Sequence, residues 1–337
     1  VDGGIGTMLV YASKGRRDLP DAHVYLDGVP EQLGRAGAFM GQHICTPLQG
    51  VAVHINAFNF PVWGMLEKLA PTLLAGLPAI IKPATATCYV TEACVRLMLD
   101  SGLLPAGALQ LVSGGLGDML DHVGCQDVVT FTGSADTALK LRGNANILSN
   151  SVRFTAEQDS LNASVLGPDA VPGTPEFDLF VKEVQREMTA KAGQKCTAIR
   201  RIMVPQAHEQ AVIEAISARL AKVTIGDPRD AATGMGALVS AAQKRDVLDK
   251  AAAIGAEATR VFGDPDDFAM SDSKGAFVPP MLFHCADPDT ATRVHDTEAF
   301  GPVSTVMGYR DLDHAIALLN RGQGSLVASV ITHDGDV

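Results

Sequence analysis

Three polar side chains of this sequence, a thiol, a carboxylate and a carboxamide, each sit where acyl chemistry could use them. Cys196 lies in Ala192-Gly193-Gln194-Lys195-Cys196-Thr197, between a long amphipathic pattern and a strand-like run that starts at Arg201. A thiol on so short a connection can be exposed and rigidly held. Lys195, Arg200 and Arg201 would favour its thiolate if their side chains turn toward it. Packing is the competing role for Cys196, and it is the expected role of Cys45, Cys88, Cys94, Cys125 and Cys285, which read as apolar or helical positions. Glu157, in Ala156-Glu157-Gln158-Asp159-Ser160, falls just past a strand-like run at Val152–Thr155. A carboxylate facing a cleft there can act as a base, and an exposed loop glutamate is the alternative. Asn59 lies in Asn56-Ala57-Phe58-Asn59-Phe60-Pro61, between a strand and an apolar helix, with Trp63 close by. Its amide needs partners, found either by tying down the turn or by donating to a developing oxyanion. The three groups together fit thioester chemistry but do not separate a hydrolase from an oxidoreductase.

Two further positions fit a phosphate-bearing ligand. Phe131-Thr132-Gly133-Ser134 carries a strand into a helix, where Gly133 would allow a tight turn and the following amides would face an anion. A plain helix cap is the alternative. Lys82 closes the strand Ala79-Ile80-Ile81 ahead of Pro83, within reach of a ribose hydroxyl or phosphate, or simply solvated. No GxGxxG fingerprint is present, because Gly114-Gly115-Leu116-Gly117 has the wrong spacing.

The elements that must hold these groups alternate. Short strands are expected at 51–55, 79–82, 109–112, 128–131, 152–155 and 163–166. Helices are expected at 63–74, 87–99, 117–123 and 135–141. Such alternation implies an α/β fold with a mostly parallel sheet covered on both faces. The polar, Gly-rich first forty residues are expected to hold little structure. The turn-rich stretch 169–175 marks a boundary between a first domain, 1–168, and a second, 169–337, again α/β. In the second, apolar residues from Phe177 to Met188 share a helical face, 201–204 is a strand, 209–223 and 241–253 are helices, and Leu326–Ile331 reads as a buried strand.

Length and composition narrow the class. The 337 residues are too many for one comfortable core. The formal net charge of -11 argues against a nucleic-acid partner. Apolar stretches are broken by Lys68, Pro71, Pro78 and Lys82, so no membrane span is expected. The six cysteines lack CxxC or Cys/His metal spacing, so no metal is expected and free thiols in the cytoplasm are the reading. Val1 is no initiator methionine and the last residues follow directly on a strand, so the sequence reads as part of a longer chain.

At this point the sequence resembles the aldehyde dehydrogenase superfamily. Phe58-Asn59-Phe60-Pro61, Ile81-Lys82-Pro83, Phe131-Thr132-Gly133-Ser134, Gly193-Gln194-Lys195-Cys196 and Glu298-Ala299-Phe300-Gly301-Pro302-Val303 are similar to family motifs and occur in family order. The resemblance implies a Rossmann-variant nucleotide-binding domain at 1–168, lacking its N-terminal part, and a catalytic domain at 169–337, lacking its C-terminal part. It implies Cys196 as nucleophile, Asn59 and the Cys196 amide as oxyanion donors, and Glu157 as general base. Lys82, Thr85, Gly133, Ser134, Glu298 and Phe300 would be cofactor contacts, with Glu298 on the nicotinamide ribose and Phe300 beside the nicotinamide.

Two departures from the family pattern carry consequences. Thr85 stands where the family has a glutamate that grips the adenosine ribose, and with Lys82 it would tolerate a 2'-phosphate, so NADP is expected over NAD. Glu157-Gln158-Asp159-Ser160-Leu161 replaces the usual Glu-Leu-Gly-Gly-Lys, which puts the local geometry of the base in question. The wording of 54–61, 157–162 and 191–201 is similar to the branch that oxidises ring-opened semialdehydes carried as coenzyme A thioesters. That implies NADP-dependent oxidation of such a semialdehyde in phenylacetate degradation by a homo-oligomer. The alternatives are the corresponding 3,4-dehydroadipyl-CoA semialdehyde enzyme of the benzoyl-CoA route, a cysteine hydrolase or acyltransferase, and an inactive structural fragment.

Overall fold

The computed structural model describes residues 1–337 and divides into two compact units, 1–158 and 159–337. The first unit begins with α1 (Asp2–Asp18) and the hairpin β1 (Tyr25–Gln32) and β2 (Met40–Cys45). Then follow β3 (Ala52–Ile55), α2 (Trp63–Leu74), β4 (Ala79–Lys82), α3 (Cys88–Asp100), β5 (Leu109–Leu111), β6 (Val128–Thr132), α4 (Ala135–Arg142), α5 (Ala145–Ser149) and β7 (Arg153–Glu157). Its five-stranded sheet runs β5-β4-β3-β6-β7, every neighbouring pair parallel. Parallel strands need crossover connections, and these lay helices on both faces. One face packs Val62, Met65, Leu66 and Leu69 of the α2 region on Ile81 and Val95; the other packs Ala138 and Ile147 on Val53, Val129 and Phe131.

The second unit holds β8 (Ala163–Leu166), α6 (Pro175–Thr189), β9 (Arg201–Pro205), α7 (Glu209–Leu220), α8 (Ala241–Gly255), β10 (Thr259–Phe262), β11 (Met281–Cys285), α9 (Arg293–Asp296), β12 (Val303–Tyr309), α10 (Leu312–Asn320) and β13 (Ala328–Ile331). Its sheet order is β10-β11-β12-β9-β8-β13, antiparallel only at β10-β11. α6 shows why the sequence folds locally as it does. The Thr174 hydroxyl accepts from Phe177 N at 3.3 Å, Pro175 fills the first turn, and Glu176 and Asp178 favour the positive helix end. Phe177, Phe180, Val181, Val184 and Met188 are buried along one face, each worth about 2 kcal/mol.

Several expectations are corrected. The first forty residues are not structureless: Gly-rich α1 has poor intrinsic propensity and stands because it packs on α2, with Gly15 so close to Leu74 that a Cβ would lie 2.6 Å from it. The division falls after Gln158 and not at 169–175, because β8 already pairs with β9 in the second sheet. The helix expected at 117–123 is a single 3-10 turn, Met119–Asp121. The strand β13 is an edge strand with its side chains alternately exposed, so it is not buried. No helix is long and apolar enough to cross a membrane.

Candidate active site

In the first unit the expected residues collect at one end of the parallel sheet. Asn59, half-buried, lies in the loop after β3, whose carbonyls at Phe58 and Pro61 accept from Thr87 Oγ1 (3.2 Å) and Thr91 Oγ1 (3.0 Å). Lys82 closes β4, with its ammonium pKa lowered chiefly by burial against an opposing pull from Cys88. Thr85 is exposed at the start of the 3-10 turn that follows. Glu157 is the last residue of β7 and is half-buried, where the sequence reading put it just past a shorter strand.

Gly133 and Ser134 carry β6 into α4. Gly133 lies outside the left-handed region and its amide donates to Glu157 O at 3.1 Å. Ser134 serves as N-cap of α4, accepting from Thr137 N at 3.4 Å. Opposite sheet directions diverge between β3 and β6, the point where α/β sheets take nucleotides. At the β3 tip Asn56 is 4% exposed, and neither its amide nitrogen nor its oxygen has a partner. An orphaned buried carboxamide at a switch point, with a cation one strand away, fits a polar dinucleotide.

The sequence reading missed Lys68. It lies on α2 among buried Met65, Leu66, Leu69 and Ala70, and donates to Thr132 Oγ1 at 2.8 Å and Gly64 O at 3.3 Å. With Glu67, Trp63, Thr155 and Glu157 it lines a cavity of about 450 Å³. Burial raises the Glu67 carboxyl pKa, and the charge of Glu157 adds to the rise against Lys68. The available signal is a lysine within an otherwise apolar helix face, which in the sequence marks only a break in hydrophobicity.

In the second unit Cys196 is half-buried on the connection between α6 and β9. Lys191, Ala192 and Gly193 precede it with φ of 54°, 53° and 68°, a left-handed turn that α6 cannot continue through. Asn162 Nδ2 donates to Cys196 O at 2.7 Å and Ala198 O at 3.0 Å, which fixes the backbone around the sulfur. Of the expected cations, Lys195 turns away to Glu187, at 2.6 Å. Arg201 turns away to the carbonyls of Leu161, Leu318 and Leu319. Arg200 does interact electrostatically with Cys196, and so does Lys191.

Glu298 is buried; its carboxylate accepts from Ser160 N at 3.1 Å and stands 3.4 Å from Arg200 Nε. Burial raises its pKa, opposed by Arg200 and Ser160. The Phe300 ring lies 5.5 Å from the Arg200 guanidinium carbon. The Ser160 hydroxyl donates to Asn162 Oδ1 at 2.5 Å and accepts from Leu326 N at 2.9 Å. All six cysteines are free, and Cys45 and Cys125 are exposed, contrary to the packing role expected for them.

Comparison with known proteins gives this arrangement a context. The aldehyde dehydrogenase family model matches residues 23–337. The 3,4-dehydroadipyl-CoA semialdehyde dehydrogenase of Aromatoleum evansii is 48% identical over 99% of this chain and 65% of its own length. Geranial dehydrogenase of Castellaniella defragrans is 30% identical over 85% of the chain and 58% of its own length. Among solved structures, a betaine aldehyde dehydrogenase from Staphylococcus aureus in complex with NAD+ superposes with TM-score 0.83 at 25% identity, over 99% of this chain and 64% of that one. A succinic semialdehyde dehydrogenase from Streptococcus pyogenes in complex with NADP+ shares the fold, with TM-score 0.82 at 22% identity, over 97% and 67% of the two chains. The chain thus spans a little under two thirds of the length of the curated relatives it matches. On the family match and the shared fold, this chain belongs to the aldehyde dehydrogenase family.

Proposed function

We propose that the protein oxidises a semialdehyde carried as a coenzyme A thioester to its carboxylic acid, with NADP as acceptor. The observation that carries this reading is the setting of Cys196: a half-buried thiol behind a left-handed turn, its carbonyl held by Asn162 and two cations within Coulombic reach. The identity of 48% to a 3,4-dehydroadipyl-CoA semialdehyde dehydrogenase supports the substrate class, and that relative's name is the one held as an alternative from the sequence.

In this reading the 1–158 unit binds the nucleotide and the 159–337 unit supplies the nucleophile. The Cys196 thiolate adds to the aldehyde carbon, forming a C–S bond as the carbonyl electron pair moves onto oxygen. Asn59 Nδ2 and the Cys196 amide donate to that oxyanion, worth about 3 kcal/mol per donor. A bound nicotinamide dinucleotide supplies the two-electron acceptor for the aldehyde hydrogen. Glu157 then takes a proton from water as the water attacks the thioester, the C–S bond breaks and the thiolate returns. Lys82, Asn56, Gly133 and Ser134 would line the dinucleotide, and Glu298 and Phe300 its nicotinamide end. Thr85 is exposed and carries no charge, which supports room for a 2'-phosphate. The exposed apolar residues of the hairpin, among them Leu26, Val29, Met40 and Ile44, support self-association.

The test is absorbance of reduced nicotinamide on mixing the purified protein with NADP and each of two substrates, the ring-opened semialdehyde-CoA of phenylacetate breakdown and 3,4-dehydroadipyl-CoA semialdehyde. The reading expects turnover of at least one. Thioester hydrolysis without nicotinamide reduction would instead favour a cysteine hydrolase.

A further inference from the structure

Arg200 occupies a place that the proposed chemistry leaves unexplained. It is 5% exposed, and a guanidinium is retained in such a place only when its donors are satisfied. Nη2 donates to Gly193 O at 2.8 Å and Lys195 O at 3.3 Å, Nη1 to Gly301 O at 2.7 Å, and Nε to Glu298 Oε1 at 3.4 Å. Its face lies against the Phe300 ring, 5.5 Å from the centroid. One planar fork therefore joins two loops about a hundred residues apart in sequence, the one that ends in Cys196 and the one that carries Glu298.

The first of those loops needs such a clamp. Lys191 and Ala192 hold φ of 54° and 53°, which non-glycine residues adopt at a cost and keep only where the surroundings over-determine them. The bonds from Arg200 fall on the carbonyls just past that strain and just before the sulfur. The charged groups facing this point are Lys191, Glu298, the Glu187–Lys195 pair and, acting on Glu298, Asp159. Lys195 is engaged with Glu187 and Lys191 is exposed at the surface, so Arg200 is the buried cation of the set.

We propose that Arg200 is a positioning residue for the Cys196 nucleophile: its fork locks the left-handed turn to the Glu298–Gly301 loop and keeps a permanent positive charge beside the thiol. The claim about turnover rests on the dehydrogenase reading above; the claim about the thiol does not.

The experiment compares the parent protein with Arg200→Lys and Arg200→Gln. It reads iodoacetamide alkylation of Cys196 across pH by peptide mass spectrometry, beside kcat and KM with NADP and semialdehyde-CoA. Arg200→Gln should move the alkylation midpoint to higher pH and slow the reaction at neutral pH by about tenfold. Arg200→Lys keeps the charge but cannot span three carbonyls, so its midpoint should stay near the parent's while kcat falls about tenfold and KM changes less than about threefold. A folded Gln variant with the parental alkylation profile would overturn the proposal. So would a Lys variant with parental kcat, and if the Gln variant fails to fold beside such a Lys variant, Arg200 is merely structural. A parent protein that never reduces NADP would sink the dehydrogenase reading instead, and the alkylation comparison would still decide the role of Arg200.

Discussion

The backbones of Gly193 and Gly301 touch: a Cβ on residue 193 would stand 2.1 Å from the Gly301 carbonyl oxygen, and its φ is +68°. Alanine at 193 would therefore meet both a backbone clash and a left-handed conformation. Gly193→Ala should cost about 3 kcal/mol of stability and displace the Cys196 loop. Urea unfolding measures the first, and turnover, expected to fall more than about tenfold, measures the second. A variant within about 0.5 kcal/mol of the parent would show that the two loops part easily.

Asn162 ties three segments together. It donates to the carbonyls of Cys196 and Ala198 and accepts from Val327 N at 2.8 Å. Replacing it with alanine leaves several buried groups unpaired, a loss of about 2–4 kcal/mol. Denaturant titration should find this loss. If Asn162→Asp, which keeps the acceptor but not the donor, unfolds at the parental midpoint, the bonds to 196 and 198 do not carry the stability assigned to them.

Two buried histidines fix the sign of one acid response. Burial lowers the pKa of His54 and His295 to about 4 each. The unfolded chain takes up these protons near pH 6.5 and the native chain only near pH 4, so stability is full above about pH 6.5 and falls as the pH drops through that window. Each group contributes a slope of about 1.4 kcal/mol per pH unit there. Melting temperatures followed from pH 7 to pH 4 should decline less steeply in His54→Gln than in the parent, whatever the level at which the variant starts. Equal slopes would mean that His54 takes up its proton over the same pH range in the native and the unfolded chain.

In the proposed function, cofactor choice turns on residue 85. A glutamate there would repel a 2'-phosphate and offer acceptors to a ribose diol, so Thr85→Glu should shift the ratio of kcat/KM for NADP over NAD downward by about tenfold or more. Steady-state rates with the two dinucleotides decide it. An unchanged ratio would remove Thr85 from the specificity argument.

Much of this was legible in the sequence because periodicity reports burial directly. α2 runs from Trp63 to Leu74 and β8 from Ala163 to Leu166, both as their apolar patterns predict. What escaped has a physical cause in each case. The glycines of α1 hide a helix that is stabilised by contact with α2. The hairpin β1-β2 is almost wholly exposed, so no alternation of apolar residues marks it. Asn56 and Lys68 matter through partners, or the lack of them, far along the chain, as Lys68 meets Thr132; Arg200 is legible as a cation near Cys196, but its bond to Gly301 is not. Spacing in one sequence does not reveal such pairings, and a cation near a cysteine could equally have turned outward, as Lys195 does.

The central claim is that Cys196 carries the acyl group, and Glu157→Gln is the protein in which to look for it. With the proposed base removed, the enzyme should form the thioester and fail to release it. Mixed with NADP and semialdehyde-CoA, the variant should yield one reduced nicotinamide per chain and an acyl adduct that peptide mass spectrometry maps to Cys196. An adduct on any other residue, or nicotinamide reduction with Cys196 still alkylatable throughout, would contradict the account.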